Sequence, residues 1–173
     1  MQALTVWKTV TMDRSNFLDT LVELLAQHDI HYCVIGGQGV NAYAEPLISL
    51  DLDLVVAVNQ MELAESLLRG QFKVERFPNS LNISADGSDL RVQIQTDPRY
   101  FSFPGRSSVR SVLGLPLPVA RVEDLLQGKI WAALDPGGRP SKRRKDLLDI
   151  ERLVEAHPEL NSQLPKEIRE RLS

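Results

Sequence analysis

The sequence has almost no cysteine, no long apolar run and no excess of positive charge. Cys33 is the only cysteine, so an internal disulfide is impossible and we expect a reducing compartment. No apolar run reaches the ~18 residues that a membrane-spanning helix needs, and the first residues lack the pattern of a signal peptide. The net charge of −3 excludes the globally basic surface of a dedicated nucleic-acid binder. These absences predict a soluble, cytoplasmic protein without a membrane partner.

The length and composition favour a single folded unit. The chain has 173 residues, of which 43% are hydrophobic, which is enough for one well-buried domain and too little for two. We predict an α/β core over residues 1–120 and a helical C-terminal extension, residues 121–173, that packs on it. Leu4, Trp7 and Val10 suggest an N-terminal arm that packs on the same domain.

The most informative stretch carries two aspartates in an alternating strand. Leu50, Leu52 and Leu54 alternate with Asp51 and Asp53, so the leucines should enter the core while both carboxylates leave by the other face. Two like charges held side by side favour a cation between them. Carboxylate oxygens suit Mg²⁺, and we therefore predict a magnesium site. The alternative is a polar face on an ordinary strand.

A pair of glycines precedes this strand at a place where a strand should give way to a helix. Gly36 and Gly37 follow an apolar run, and the helix is expected to start near Gln38 or Gly39. Glycine allows a phosphate to approach the backbone, and free N–H groups at a helix start can hold it. Gly-Gly, thirteen residues and then Asp-x-Asp resemble the signature of the nucleotidyltransferase superfamily. The resemblance implies that the glycines hold a nucleotide triphosphate and that the acids bind its magnesium.

The remaining patterns predict a mixed, twisted sheet flanked by helices. Apolar periodicity predicts a helix from Asp13 to His28, and Asn59 is expected to cap a helix that stops at Gly70. The predicted strands and final helices are Phe72–Phe77, Leu81–Ile83, Leu90–Gln95, an edge hairpin within Val109–Ala120, a helix from Arg121 and an amphipathic helix through Leu147 to Val154.

The third acid of the superfamily pattern is replaced by an amide. On the strand Leu90–Gln95 the superfamily usually has a carboxylate where Gln93 stands. Gln93 is thus a candidate metal ligand without charge, and the replacement argues against the usual pair of metal ions. Asp97 is a possible substitute acid, although an aspartate before proline more often forms a turn.

A basic segment near the C-terminus allows two interpretations. Five cations, Arg139, Lys142, Arg143, Arg144 and Lys145, fall within seven residues. One interpretation is that they contact phosphate; the other is that Lys142 pairs with Asp146 and Lys145 with Asp149 along a solvated helix face.

The C-terminal residues extend the resemblance to one family. Glu123-Asp124, Lys129 and Lys145-Asp146-x-x-Asp149 resemble the C-terminal part of AbiEii/AbiGii-like nucleotidyltransferases, which include toxins of toxin–antitoxin pairs. The resemblance implies that Lys129 and Lys145 neutralise the leaving pyrophosphate. The family's Arg and Thr before the acids are absent, since Leu47 and Ser49 stand there. We nevertheless predict that Ser49 contacts the nucleotide.

The resemblance implies an enzyme that moves a nucleoside monophosphate from an NTP to an acceptor hydroxyl. Asp51, Asp53 and Lys129 would be its catalytic residues, and the resemblance suggests tRNA or a protein as acceptor and an antitoxin as partner. The alternative is a degenerate relative that binds nucleotide or a partner protein without turnover, as Gln93 would allow. A purely structural module would require Asp51 and Asp53 to lie on an open sheet edge.

Overall fold

The computed structural model describes residues 16–173, so the predicted N-terminal arm and residues 13–15 lie outside the described part. Within it the helices are α1 (Phe17–Gln27), α2 (Gly36–Asn41), α3 (Met61–Arg69), α4 (Val122–Ala133), α5 (Pro140–Ala156) and α6 (Lys166–Leu172). The strands are β1 (Tyr32–Ile35), β2 (Asp51–Val56), β3 (Lys73–Phe77), β4 (Ser80–Ser84), β5 (Arg91–Gln95), β6 (Ser108–Val112) and β7 (Leu115–Val119).

The seven strands form one mixed sheet in the order β3-β4-β5-β2-β1-β7-β6. The strand β2 pairs in parallel with β5 and antiparallel with β1, so it lies in the interior of the sheet. The hairpin β6–β7 places β6 at an edge, while β7 pairs in parallel with β1. The predicted α/β class with a mixed sheet flanked by helices is confirmed.

The core follows the alternation that the sequence predicts. Leu52 and Leu54 are 1% exposed, whereas Asp51 and Asp53 are only partly buried and leave by the opposite face. Cys33 is fully buried, and burial raises the pKa of its thiol to about 12. Cys33 is therefore a core residue.

Two helix starts differ from the predictions. The helix α2 begins at Gly36 itself, because Gly36 takes a φ of +67° and turns the chain directly from β1 into the helix. Asn59 does not cap α3, since a 3₁₀ turn covers Val58–Gln60 and the helix begins at Met61. The Gln60 amide instead fastens this turn, accepting from the His31 N–H at 2.7 Å and donating to the Asp29 carbonyl at 2.8 Å.

The helices α4 and α5 lie over the sheet face that carries the aspartates, since both helices line one cleft with Asp51 and Asp53. The helix α4 packs against α2 and α5, and α5 also contacts α2 and α6. Pro140 opens α5, as proline often does at the first position of a helix. The predicted helix from Arg121 is confirmed, and the division of the chain at residue 120 stays a prediction. In residues 16–173, no helix combines the length and apolarity that a membrane span requires.

Candidate functional site

Asp51 and Asp53 lie on a strand in the interior of the sheet. Strand pairing aligns Asp53 with Gln93 and Asp51 with Arg91 on the neighbouring parallel strand β5. Asn82 of β4 in turn lies beside Gln93. These carboxylates therefore do not lie on the open sheet edge that a purely structural role would require.

Gly36 is held directly against Asp53. A Cβ atom added at Gly36 would lie 2.2 Å from Asp53 Oδ2, far inside van der Waals contact, and the residue has a φ of +67°. Both observations require glycine at this position. At Gly37, by contrast, an added Cβ would meet nothing within 4 Å, so the second glycine leaves open space above the backbone.

The environment of Asp53 disfavours its charged form. Burial raises the pKa of this carboxyl to about 6, with Asp51 adding to the rise and Lys129 and Lys142 opposing it. A cation placed between Asp51 and Asp53 would reverse this penalty, because it favours the ionised form of both.

Asp51 already has one cationic neighbour. Arg91 Nε lies 2.8 Å from Asp51 Oδ1, and both side chains are largely exposed. The strand alignment of Arg91 with Asp51 explains the contact, and the sequence prediction did not include it. Ser49 supports the same residue, since its Oγ accepts a hydrogen bond from the Asp51 N–H at 3.1 Å.

A cleft of about 680 Å³ brings most of the predicted site residues together. They are Gly37, Ser49, Asp51, Asp53, Gln93, Lys129 and Lys145. Gly36 lies at an adjoining cavity instead. Other cations and polar side chains also line the cleft, although the sequence prediction did not name them as site residues. They include Asn82, Arg91, Arg139, Ser141 and Lys142.

Lys129 is fixed by two aspartates of α5. Its Nζ lies 3.1 Å from Asp146 Oδ1 and 2.9 Å from Asp149 Oδ2. Burial opposes the charged form, but these two carboxylates outweigh it, and the pKa of Lys129 is raised above its ordinary value. Lys129 is therefore a fixed positive charge at the wall of the cleft.

The solvated-face interpretation of α5 is wrong at these aspartates. Asp146 is 2% and Asp149 is 9% exposed. Lys142 does pair with Asp146, at 3.1 Å, but Asp149 pairs with Lys129 and Arg152. The spacing of four residues predicted the ion pair of Lys142 with Asp146 correctly. Asp149 pairs instead with Lys129, a cation that α4 supplies.

Arg152 extends this network to the segment that precedes β2, and the sequence prediction missed it. Its guanidinium contacts Asp149 Oδ1 at 2.8 Å, Asn41 Oδ1 at 2.6 Å and the Glu45 carbonyl at 2.6 Å. Asn41 also holds both the N–H and the carbonyl of Leu47. The helix α5 and the segment that carries Ser49 are thus tied together. Only the three-residue spacing of Asp149 and Arg152 signals this in the sequence.

A second cavity of about 130 Å³ adjoins the cleft. Asp53, Gln93, Lys129, Lys142 and Asp146 line both spaces. The remaining wall of the smaller cavity is mostly apolar and includes Ile35, Tyr100, Phe103, Leu125 and Ala132. Asp53 and Gln93 therefore mark the junction of the two spaces.

The oxygen ligands of Asp51, Asp53 and Gln93 fit one magnesium ion better than two. Asp51 and Asp53 offer carboxylate oxygens, Gln93 offers an amide oxygen, and such oxygens are the ligands that Mg²⁺ prefers. Among residues 16–173, no group of three or more His, Cys, Asp or Glu is placed to hold a metal. Asp97 lines neither of the two cavities, and its side chain pairs with Arg99 at 2.9 Å. That pairing lowers the pKa of the Asp97 carboxyl, as suits a turn-forming residue.

Solved structures with the same fold include an antibiotic-resistance factor and a lincosamide antibiotic adenylyltransferase. The crystal structure of ANT(2")-Ia in complex with adenylyl-2"-tobramycin has a TM-score of 0.63 at 13% identity, covering 91% of this chain and 98% of that one. Lincomycin-bound LnuA, a lincosamide antibiotic adenylyltransferase, has a TM-score of 0.52 at 15% identity, covering 80% and 95%. At these identities the likeness concerns the fold. No curated protein matches the chain significantly.

The family assignment comes from a match over most of the chain. The model of the family described as "Nucleotidyl transferase AbiEii toxin, Type IV TA system" matches residues 48–173. The matched segment includes the strand with Asp51 and Asp53, the amide Gln93, and the helices with Lys129 and Lys145. The chain therefore belongs to the AbiEii family of nucleotidyltransferases.

Proposed function

We propose that the chain transfers a nucleoside monophosphate from a magnesium-bound NTP to an acceptor hydroxyl. The observation that carries the proposal is the convergence, in one cleft, of two adjacent carboxylates with the cations of α4 and α5. The pKa of Asp53, raised to about 6 by burial, supports a carboxylate that gains a cationic partner in the working state.

The residues of the cleft have distinct roles in this proposal. Asp51 and Asp53 would hold one Mg²⁺ that accompanies the triphosphate, and the Gln93 amide oxygen would be a neutral ligand. Gly37 gives the phosphates access to the backbone, and Gly36 keeps the Asp53 carboxylate in place. Ser49 orients Asp51 through its backbone N–H. Such an ion would supply neutralisation of phosphate charge and polarisation of the α-phosphate.

The cations of the cleft serve the leaving group. Lys145 is exposed and lines the cleft, so it can follow the β- and γ-phosphates as pyrophosphate departs. Lys129 is held by Asp146 and Asp149, and it therefore acts as a fixed charge beside Asp53. Preorganised charges of this kind stabilise a transition state without reorganisation.

The transfer itself breaks one bond and forms one. The acceptor oxygen attacks the α-phosphorus, the bond from the α-phosphorus to the bridging oxygen of the β-phosphate breaks, pyrophosphate leaves, and the hydroxyl proton passes to water. Such chemistry depends on positioning and electrostatics, and no covalent enzyme intermediate is needed.

We propose RNA as the acceptor. Arg139 and Lys142 line the cleft, and Arg143 and Arg144 lie just beside it on the same helix. A cluster of cations at the start of α5, part of it outside the triphosphate site, suits a phosphate backbone, and tRNA is the RNA that the family resemblance suggests. A protein hydroxyl as acceptor is the other outcome of a transfer assay. The family's description as toxins supports a toxin role that acts through such modification, with an antitoxin as partner.

A degenerate, nucleotide-binding role is the second candidate, and Gln93 is the observation that favours it. A neutral amide binds a second metal ion weakly, so nucleotide could bind without being turned over. Measured transfer, rather than binding, separates this role from the proposed one.

Calorimetric titration with Mg²⁺–NTP tests the binding half of the proposal. Wild-type protein should bind, and Asp51→Asn should weaken binding at least about tenfold because one metal ligand loses its charge. Asp86→Asn makes the same chemical change in an exposed loop residue outside the cleft, and it should bind like wild type. Equal affinity of Asp51→Asn and wild type would remove the carboxylates from the site.

A further inference from the structure

We propose that the smaller cavity receives the base of the nucleotide and admits one six-membered ring, so that the chain prefers pyrimidine to purine nucleotides. This inference rests on the proposed function, because it assigns the base position of the same NTP. The sequence prediction left the identity of the base open.

The position of the cavity places it where the nucleoside must go. It meets the phosphate cleft at Asp53 and Gln93, which is where the α-phosphate belongs in the proposed function. The β- and γ-phosphates extend toward Gly37 and Lys145, which line the cleft and not the cavity. The nucleoside is attached to the opposite side of the α-phosphate, and the cavity is the space beside Asp53 that Gly37 and Lys145 do not line.

The volume of the cavity suits a single ring. At about 130 Å³ it is close to an engineered cavity of about 150 Å³ that binds benzene. A pyrimidine is a ring of benzene size, whereas a purine has a second fused ring. A purine would therefore require the walls to move.

The aromatic wall resists such movement because its members hold one another. Tyr100 and Phe103 are 6% and 2% exposed, and their ring centroids are 5.2 Å apart. Trp131 packs against both rings. The Tyr100 hydroxyl donates to the Gly128 carbonyl at 3.3 Å, which fastens the wall to α4. Well-packed aromatic groups of this kind are costly to displace.

Two amides offer the polar contacts that a pyrimidine needs. Gln95 and Gln93 both line the cavity. Gln95 Oε1 accepts a hydrogen bond from the Asp97 N–H at 3.1 Å, so its amide nitrogen is the group that remains to donate. Cytosine and uracil share the C2 carbonyl as an acceptor, and an amide N–H can bind it in either base. The cavity thus fits both pyrimidines.

Substitutions at Gly128 and Ala132 can fill the cavity. A Cβ at Gly128 would lie 3.0 Å from Tyr100 Cε1 and 3.8 Å from Phe103 Cε2, so Gly128→Ala narrows the space beside the aromatic wall. Ala132 also lines the cavity, one helical turn further along α4, and Ala132→Leu would fill it from the same helix. Gly105→Ala is the matched control, because a Cβ there meets nothing within 4 Å.

The experiment is calorimetric titration, in Mg²⁺, with CTP, UTP, ATP, GTP and inorganic triphosphate. We expect CTP or UTP to bind at least tenfold more tightly than ATP and GTP. Gly128→Ala and Ala132→Leu should reduce pyrimidine nucleotide affinity at least tenfold while leaving triphosphate affinity unchanged. Gly105→Ala should behave like wild type in every titration, and thermal unfolding reports whether each variant is folded.

The possible failures are distinguishable. If ATP or GTP binds wild type as tightly as CTP and UTP, or if folded Gly128→Ala and Ala132→Leu keep full pyrimidine affinity, the base assignment is overturned while the proposed function stands. If neither triphosphate nor any NTP binds, both the proposed function and the inference fall. The wild-type comparison alone decides the matter should both variants fail to fold.

Discussion

Asp53 is the residue whose surroundings define the site most closely. It lies against Gly36, where no Cβ can be accommodated, and burial holds its pKa at about 6. The folded protein therefore binds a proton at Asp53 more strongly than the unfolded chain does. Stability that Asp53 contributes at low pH is lost as pH rises from about 4 to about 6.

This residue gives a prediction about stability and pH. Because one pKa unit corresponds to ~1.4 kcal/mol, Asp53→Asn should stabilise the metal-free protein by up to ~3 kcal/mol at pH 7. The difference should shrink to about 0.5 kcal/mol at pH 4, where the folded carboxyl is protonated and the unfolded one, with an ordinary pKa of 3.8, is about half protonated. Urea unfolding of both proteins in EDTA at pH 4, 5, 6 and 7 measures it. A difference that does not depend on pH would contradict the raised pKa.

Gln93 gives a prediction about metal dependence. It lies beside Asp53 on the neighbouring strand, so Gln93→Asp would add a third carboxylate at the junction of the two cavities. We expect the Mg²⁺ concentration that half-saturates the transfer rate to fall roughly tenfold, and the transfer rate at saturating Mg²⁺ to rise. A Mg²⁺ titration of the transfer rate measures this effect, with Gln93→Asn as the uncharged control. Transfer that falls in Gln93→Asp would show that the amide itself is required.

Single residues could be predicted where a local rule fixes them. The alternation of Leu52 and Leu54 with Asp51 and Asp53 is a property of any strand, and it placed both carboxylates on the correct face. The contact of Arg91 with Asp51 could not be predicted in this way, because it depends on the register between β2 and β5. The need for glycine at position 36 likewise arises from Asp53, which is distant in the sequence.

Among the elements, α5 is the one on which the interpretations differed most. Its first turns carry the cations, and its middle carries the buried Asp146 and Asp149. The helix therefore faces two ways, toward Lys129 of α4 and toward solvent. Periodicity predicted the helix itself, but the pairing of its aspartates was decided by packing against α4, which no spacing within α5 encodes.

The outer cations of α5 give a prediction about salt. Arg143 and Arg144 lie outside both cavities, so replacing both by alanine should weaken RNA binding and leave Mg²⁺–NTP affinity unchanged. The slope of log affinity against log salt should fall by about 1–2, since each lost phosphate contact removes ~0.7–0.9. Fluorescence anisotropy with total tRNA at several salt concentrations measures this.

A charge-matched variant controls for the loss of positive charge. Lys166 and Arg169 are exposed residues of α6 outside the cleft, and replacing both by alanine should leave the slope unchanged. If the wild-type slope also persists without Arg143 and Arg144, these two cations belong to a solvated helix face.

At the scale of the whole molecule, the site exists because β2 and β5 run in parallel under two C-terminal helices. The glycine pair, the paired acids and the C-terminal lysines lie far apart in the sequence. The prediction that they share one site came from the family resemblance. The closure of one cleft by Lys129, Asp146 and Asp149, and the tie from Arg152 to Asn41, are long-range contacts. They follow from the tertiary packing of α5 and could not be predicted from local pattern.

The central claim is that this chain transfers a nucleoside monophosphate. The most direct measurement is incubation with each α-³²P-labelled NTP, total RNA and Mg²⁺, followed by separation of RNA from protein. We predict label on RNA with wild type, none in EDTA, and none with Asp51→Asn, while Asp86→Asn labels like wild type. Magnesium-dependent NTP binding with no label on RNA or protein would contradict the claim and identify the chain as a nucleotide-binding relative without turnover.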